Sequence, residues 1–388
     1  MEVPLPGPNT PKRTIQLDFV RGIAILAVME YHFLTVPVSN PVAVTFETFF
    51  KRVGFGVDLF FVLSGFLVGG LLVQELLKTG SVRIRRFLAR RAFKIWPAYY
   101  VYILVQVFGH HHPIKTFLWQ NLLNVQNYAG TSLSHTWSLA VEEHFYLLLP
   151  PLLVFLYKRQ RAGLMQILLG ICALVLIGRT VSVVVFHSGD TQWPTHDRID
   201  SLLFGVILSF LLYTREELFH RVLTWRIPLL LVALGGLTFI FFNGHHTPRM
   251  WTYGYTLNYL AMASILLLVY GYRGRLINSV PYRAVATIGV YSYGIYLWHL
   301  SVREPALKLA MHVPVGARWL TLLLLQFAAA ILVGVVMTKV IEFPMLRLRD
   351  RLVPRGPAHL APPPEENPDA LIHEAIDDQL HRSPLPLS

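Results

Sequence analysis

A cation and an imidazole lie on one apolar stretch near the start of the chain, within LDFVRGIAILAVMEYHF. Arg21 and His32 are eleven residues apart, about three helical turns, so both side chains leave one helix face, roughly 16 Å apart along its axis. A charge in a membrane-spanning helix costs roughly 3 kcal/mol, so it normally faces the bundle interior or a wet cavity. Arg21 and His32 are therefore candidate catalytic residues. The alternative is that both are interfacial anchors.

Three carboxylates lie in apolar segments where an acid could orient a catalytic imidazole. Asp58 is near the start of GVDLFFVLSGF, and Glu142 and Glu143 are adjacent within HTWSLAVEEHFYLLLP. Adjacent helical residues point about 100° apart, so one glutamate can face a cavity while the other caps the helix N-terminus. We expect Glu143 or Asp58 to orient the imidazole. For Asp58, pairing with a structural cation is an equal alternative.

A dense group of cations follows in the segment SVRIRRFLARRAFKIWPAYY. Their density exceeds what the positive-inside rule alone requires of a short cytoplasmic loop. Guanidinium groups match phosphate oxygens, so we expect this loop to bind an anionic cytosolic ligand, with lipid headgroups as the alternative. The predicted binding residues are Arg83, Arg85, Arg86, Arg90, Arg91 and Lys94.

Polar and aromatic residues of three further motifs are candidates for binding an acceptor substrate. In THDRIDSLLFG, Arg198 stands between two acids, which predicts a structural ion cluster or a site for a polar acceptor. The rings of IGVYSYGIYLWHL could form an interfacial aromatic belt or stack on a sugar. We predict that substrate is bound by Trp137, Glu142, Arg198, Asp200, Tyr296 and His299.

A run of three histidines, His110 to His112, raises the question of a metal site. Neither a helical H-x-x-x-H spacing nor a nearby carboxylate pattern accompanies the run, so we predict no metal. Cys172 is the only cysteine and lies in an apolar stretch, which excludes a disulfide framework and a thiolate cluster.

Long apolar runs must position these residues. The chain has 388 residues, of which 54% are hydrophobic and only 14% charged, whereas soluble domains carry about 25% charged residues. This composition predicts an all-α, polytopic membrane protein. Its net charge of +12 therefore reports on topology rather than on nucleic-acid binding.

The hydropathy pattern predicts about ten membrane spans with both termini cytoplasmic, because Lys and Arg concentrate in alternate connecting segments. We expect a tail at 1–14, a transmembrane domain at 15–352 and a disordered cytoplasmic tail at 353–388, without a cleavable signal peptide or a second folded domain. The predicted spans are 15–36, 53–77, 96–109, 137–157, 164–186, 200–213, 227–243, 251–270, 285–302 and 319–340.

Taken in order, these motifs resemble acyltransferase family 3, a family of integral membrane O-acyltransferases, over about residues 15–350. The resemblance rests on LDFVRGIAILAVMEYH, GVDLFFVLSGF, RRAFKIWPAYY, HTWSLAVEEHFYLLLP, RIDSLLFG and SYGIYLWH followed by EFP. It implies a multi-pass protein of the cell (inner) membrane that moves an acyl group, usually acetyl, from cytosolic acyl-CoA to a hydroxyl, usually of a carbohydrate. It implies membrane lipids but no nucleic acid among the partners.

The same resemblance assigns roles to several residues. Arg21 and His32 match the essential pair of the first helix, with His32 catalytic, and Glu143 matches a carboxylate of the W-S-L-A-V-E-E block. The family's R-x-x-R motif is met by Arg83 and Arg86, or with one departure by Arg91 and Lys94, so the sequence leaves the donor-binding pair open. Direct transfer and an acyl-histidine intermediate also both remain.

This mechanism requires a water-accessible tunnel that joins a phosphate-binding patch to the imidazole. The main rival is a proton-coupled transporter or flippase, in which Arg21, His32 and Glu143 form a proton relay. The absence of an internal repeat disfavours that reading. A non-catalytic scaffold or sensor is a further alternative, and the intramembrane ionisable residues disfavour it.

Overall fold

The computed structural model describes residues 14–33, 44–45, 48–49, 51–52, 54–109, 114–160 and 163–354. Throughout these ranges the regular structure is helical, which confirms the predicted all-α class. The His-rich tract 110–112 and nearly all of the C-terminal tail predicted at 353–388 lie outside the described residues.

The helices follow one another with short connections, and 3₁₀ or π-helical turns extend several of them. The first eight helices are α1 (Ile15–His32), α2 (Gly56–Thr79), α3 (Ile84–Phe108), α4 (Leu118–Leu122), α5 (Gln126–Ala129), α6 (Trp137–Gln160), α7 (Leu164–Val184) and α8 (Thr195–Thr214). The remaining helices are α9 (Glu216–Thr224), α10 (Arg226–Asn243), α11 (Tyr255–Tyr270), α12 (Val280–Val290), α13 (Ser292–Trp298), α14 (Arg303–Ala310), α15 (Arg318–Met337) and α16 (Phe343–Leu352).

Six helical segments of the described chain are long and apolar enough to cross a membrane, and each coincides with a predicted span. The predicted spans 15–36, 96–109, 200–213 and 285–302 are not among them and stay predictions, as does the orientation of the termini. The six segments are Gly56–Thr79, Ser134–Gln160, Leu164–Val184, Arg226–Asn243, Met250–Tyr270 and Val315–Leu352.

One local prediction is wrong, and one predicted span is not a continuous helix. The cationic segment is not a loop, because α3 begins at Ile84 and runs without interruption to Phe108. Its Arg, Lys, Ala and Leu residues have high helix propensity, and the helix accommodates Pro97 in its interior. The predicted span 285–302 is also not one helix, since it divides at Tyr291 into α12 and α13 and ends in a 3₁₀ turn at His299–Val302.

The closest helix packing joins α2 to α8 through glycines on both helices. A Cβ added to Gly65 would lie 1.9 Å from the Leu202 carbonyl oxygen, and one added to Gly205 would lie 2.2 Å from the Val62 carbonyl oxygen. Small residues of this kind let two membrane helices approach to backbone contact. The contact holds Asp58 of α2 beside Arg198 of α8.

Substituting Gly65 with alanine is expected to destabilise the bundle by about 1–3 kcal/mol, because the new methyl group meets backbone rather than a movable side chain. The midpoint of thermal unfolding in detergent measures the effect. Gly170→Ala in α7 is the matched control, since a Cβ there meets nothing within 4 Å. Equal midpoints for the two variants would show that the α2–α8 contact does not limit stability.

Candidate functional site

A cavity of about 150 Å³ lies between α1, α2, α3, α6 and α13. Apolar side chains form much of its wall, but three cations and one carboxylate also line it. These ionisable residues are Arg21, Arg91, Lys94 and Glu142. A compartment with this lining can hold an anion whose remainder is apolar, and we call it the cationic cavity.

The structure separates the six cations of the predicted donor segment. Arg91 and Lys94 line the cationic cavity, and the Arg91 guanidinium lies 5.8 Å and 6.0 Å from the ring centroids of Phe87 and Tyr146. Arg21 forms an ion pair of 2.7 Å with Asp18, one turn earlier on α1. The second R-x-x-[RK] pair is therefore the one that faces the cavity.

The other four cations of this segment do not line the cationic cavity. Arg86 donates to the Pro354 carbonyl, and Arg90 donates to the Val353 carbonyl and pairs with Asp350 at 2.8 Å. Arg83 and Arg85 are exposed. The first turns of α3 are thus fastened to the end of α16 and to the residues that follow it.

The adjacent glutamates of α6 diverge, as expected for neighbouring helical residues. Glu142 lines the cationic cavity, whereas Glu143 turns toward α3 and accepts a hydrogen bond of 3.1 Å from the Trp96 indole. Glu143 therefore contacts Trp96 and not the His32 imidazole. The sequence favoured Glu143, but the glutamate that faces a cavity is Glu142.

A second cavity, of about 50 Å³, contains His32, and we call it the imidazole cavity. Its walls are more polar and aromatic than those of the cationic cavity. Among its lining residues are Tyr31, His32, Asp58, His135, Trp137, Gln192, Arg198, His245, Tyr255 and Tyr296. Val57 and Tyr296 line both cavities, so the two compartments abut.

His32 is oriented by a carbonyl group and a second histidine. Its Nδ1 lies 2.9 Å from the Val28 carbonyl oxygen and 3.3 Å from His299 Nε2. His299 Nδ1 donates to the Tyr296 carbonyl at 2.7 Å, which leaves His299 Nε2 as an acceptor. This network places the His32 proton on Nδ1, and in the neutral ring Nε2 then carries the lone pair that a general base needs.

The contacts of His32 correct one expectation. The orienting groups are Val28 and His299, not Glu143 or Asp58. His299 is fully buried and contacts the His32 ring, and its predicted role in substrate binding stays a prediction. His299 and His32 are 267 positions apart in the chain, so sequence spacing gave no signal for their contact.

Tyr296 forms part of the wall between the two cavities. Its hydroxyl donates to the His135 carbonyl at 2.6 Å and accepts from the Ser138 hydroxyl at 2.5 Å. The expected single tunnel from the cations to the imidazole is therefore two compartments that share a wall.

Arg198 and Asp58 form a buried ion pair beside the imidazole cavity. Asp58 also accepts a hydrogen bond of 2.6 Å from the Asn258 amide, so both carboxylate oxygens have partners. The Arg198 guanidinium stacks 3.8 Å from the Tyr255 ring centroid. Of the two alternatives weighed for Asp58, pairing with a cation is the one observed.

The guanidinium of Arg198 is incompletely satisfied. The residue is only 1% exposed, and its Nε and Nη1 atoms have no hydrogen-bond partner among the described residues. A buried donor without a partner costs about 1–3 kcal/mol. Arg198 therefore presents unused hydrogen-bonding capacity in the wall of the imidazole cavity.

Asp200, predicted to bind substrate, belongs to a separate ion pair. Its carboxylate lies 3.1 Å from Arg179 Nη1, and both side chains are fully buried. Arg179 also donates to the Thr252 carbonyl at 2.7 Å and to the Thr256 hydroxyl at 2.6 Å, which fastens α7 to α8 and α11. The sequence signal for this pair is Arg179, a single arginine in the apolar run 164–186, because such a charge needs a buried partner. It is not among the predicted site residues.

His245 is a further lining residue that the sequence analysis missed. It lies in the connection after α10, contacts Tyr31 with ring centroids 5.6 Å apart, and has a buried Nε2 without a partner among the described residues. Burial lowers the pKa of His245 to about 4, so the ring is neutral at physiological pH.

Within the described part of the chain, no group of His, Cys, Asp or Glu side chains is arranged to hold a metal ion.

A helical bundle with apolar spans, a cation-lined cavity and an adjoining imidazole cavity defines an integral membrane protein with an internal polar site. The acyltransferase-domain family (Acyl_transf_3) matches residues 14–339, and the chain belongs to this family. The resemblance inferred from the motifs is thereby confirmed.

Two relatives illustrate the similarity. The chain is 26% identical over 324 residues to O-acetyltransferase OatA of Staphylococcus aureus, covering 76% of this chain and 51% of that protein. It is 28% identical over 367 residues to peptidoglycan O-acetyltransferase OatA of Listeria monocytogenes, covering 85% of this chain and 55% of that protein. The chain thus spans about half the length of these relatives. No solved structure matches it.

Proposed function

We propose that this protein is a multi-pass O-acyltransferase of the cell membrane that transfers acetyl from cytosolic acetyl-CoA to a carbohydrate hydroxyl. One observation carries the proposal: a cation-lined cavity shares the Val57 and Tyr296 wall with a cavity that contains a histidine oriented as a base. The two relatives support the acetyl group by their names, and the Listeria protein supports a carbohydrate acceptor.

The donor would occupy the cationic cavity. Arg91 and Lys94 lie in the first half of α3, in the segment predicted to be cytoplasmic, and both line this cavity. Their charges suit the phosphate groups of CoA, and the apolar lining suits its pantetheine arm. The thioester would then reach the shared wall at Tyr296.

The acceptor hydroxyl would react in the imidazole cavity. In our mechanism His32 Nε2 takes the hydroxyl proton while the acceptor oxygen attacks the thioester carbonyl carbon. The resulting oxyanion collapses, the C–S bond breaks, and the CoA thiolate takes the proton back from His32. His299 and the Val28 carbonyl hold the ring in the required tautomer throughout. Direct transfer therefore needs no covalent histidine intermediate.

Reconstitution tests the function. Purified protein in liposomes receives acetyl-CoA, labelled in the acetyl group, together with peptidoglycan fragments, and mass spectrometry follows the acceptor. We expect a gain of one acetyl mass that requires both substrates, with release of CoA. Movement of an acceptor across the bilayer without any acylation would contradict the proposal and favour the transporter.

Removing the two donor-side cations is expected to raise the KM for acetyl-CoA about 10²-fold or more. The variant is Arg91→Ala with Lys94→Ala, and the reason is the loss of two charge-assisted phosphate contacts, each contributing about 1.5–3 kcal/mol. Arg273→Ala with Arg275→Ala removes the same charge from an exposed segment and serves as control. A larger KM increase for Arg83→Ala with Arg86→Ala would move the donor site to the first turn of α3.

A further inference from the structure

Arg198 is held on three sides, and its Nε and Nη1 donors are buried without a hydrogen-bond partner among the described residues. Nη2 binds Asp58, the guanidinium plane stacks on Tyr255, and Trp137 and Phe61 lie about the same group with ring centroids at 6.0 Å and 5.9 Å. Asn258 fixes Asp58 in turn at 2.6 Å. The guanidinium therefore has a defined position before any substrate arrives.

A second buried arginine shows what a purely structural guanidinium looks like in this bundle. Arg179 is as buried as Arg198, yet each of its three nitrogens has a hydrogen-bond partner and it lines neither cavity. Arg198 has partners for only one nitrogen and faces the cavity that contains His32. The unused donors thus distinguish a ligand-binding arginine from a structural one.

We propose that Arg198 Nη1–H, one of its two unpartnered donors, binds the carbonyl oxygen of the acyl group and stabilises the oxyanion formed when the acceptor attacks. This role rests on the proposed acyl transfer and assigns its electrophilic group. When the acceptor oxygen adds to the carbonyl carbon, the carbonyl π electrons move to oxygen, and a fixed cation with an unpartnered donor meets that charge without reorganising. The charge returns to sulfur when the C–S bond breaks.

The acceptor hydroxyl is a poorer ligand for these donors. A hydroxyl that must lose its proton to His32 becomes less nucleophilic if a cation binds the same lone pairs, whereas a carbonyl becomes more electrophilic. The cavity of about 50 Å³ also favours a small group, because a water molecule alone needs on the order of 10–15 Å³ of such space. An acetyl group and the reacting hydroxyl of the acceptor match this size better than a whole sugar ring does.

The test compares Arg198→Lys with Arg179→Lys in the reconstituted acetyl-transfer assay. Lysine keeps a charge for Asp58 but cannot at the same time place a donor where Arg198 Nη1 lies, so we expect Arg198→Lys to lower kcat about 10²–10³-fold with both KM values nearly unchanged. Arg179→Lys should lower the midpoint of thermal unfolding at least as much as Arg198→Lys does. It should leave kcat within about threefold of the wild-type value. A second variant, Arg198→Met with Asp58→Asn, removes both charges and should show the same loss in kcat.

Other outcomes would overturn the inference. Equal kcat values for the two lysine variants, or wild-type kcat in the neutralised double variant, would make Arg198 a structural residue. A raised acceptor KM with kcat retained would make it an acceptor-binding residue. Both results leave acyl transfer itself intact. Absence of acetylation by the wild-type protein would instead refute the proposed function, and the oxyanion assignment with it.

Discussion

Replacing His32 with glutamine is expected to lower kcat for acetyl transfer about 10²–10⁴-fold, the usual contribution of a positioned general base. Glutamine keeps an amide that can donate to the Val28 carbonyl, so the local hydrogen bond survives. It lacks a nitrogen that can take a proton at neutral pH, so the chemical step alone should be impaired. Initial rates of acetylated product in liposomes, at saturating donor and acceptor, measure the effect.

An exposed histidine provides the control for this substitution. His312 follows α14 and lies outside both cavities, so His312→Gln should retain the wild-type kcat. The amount of folded protein after detergent extraction must be the same for both variants. Full activity of a properly inserted His32→Gln protein would remove the imidazole from the mechanism.

Asp58→Asn is expected to cost about 3–5 kcal/mol of stability, because it leaves the buried Arg198 cation without its counter-charge. The midpoint of unfolding in detergent, followed by helical circular dichroism, measures this loss. The double variant Asp58→Asn with Arg198→Met removes both charges and should recover much of it. Such recovery would identify an ion pair rather than an independent contribution from either residue.

A direct catalytic role of Asp58 predicts another pattern. In that case Asp58→Asn would lower kcat while the unfolding midpoint stayed close to that of the wild type. The observed contacts of Asp58 with Arg198 and Asn258, both buried, are why we expect a loss of stability first. Any loss of kcat would then follow from displacement of Arg198.

Local periodicity predicted that Arg21 and His32 lie on one face of α1 toward the interior of the bundle, because the relevant distance lies within one helix. Arg21 and His32 line adjoining cavities, as their spacing on one helix face requires. Ordered motifs likewise sufficed to predict the family, and apolar runs sufficed for the six segments able to cross a membrane. Each of these predictions depends on neighbours in the chain.

Contacts between segments that are distant in the chain could not be predicted from the sequence. Arg198 stands between two acids in the chain but pairs with Asp58, which is 140 positions away, because the glycines of α2 and α8 bring those helices together. The cationic stretch is predicted to be a loop because charged residues usually lie in solvent-exposed segments. In the helix, Arg86 and Arg90 instead bind residues 350–354, which no local pattern could indicate.

The tyrosine between the two compartments has a consequence for the cell that houses such a protein. A membrane stores energy as ion gradients, and a continuous aqueous pore through this bundle would dissipate them. In the proposed mechanism Tyr296, whose hydroxyl binds the His135 carbonyl and the Ser138 hydroxyl, would separate the donor cavity from the acceptor cavity. Catalysis between compartments then need not compromise the electrical insulation of the bilayer.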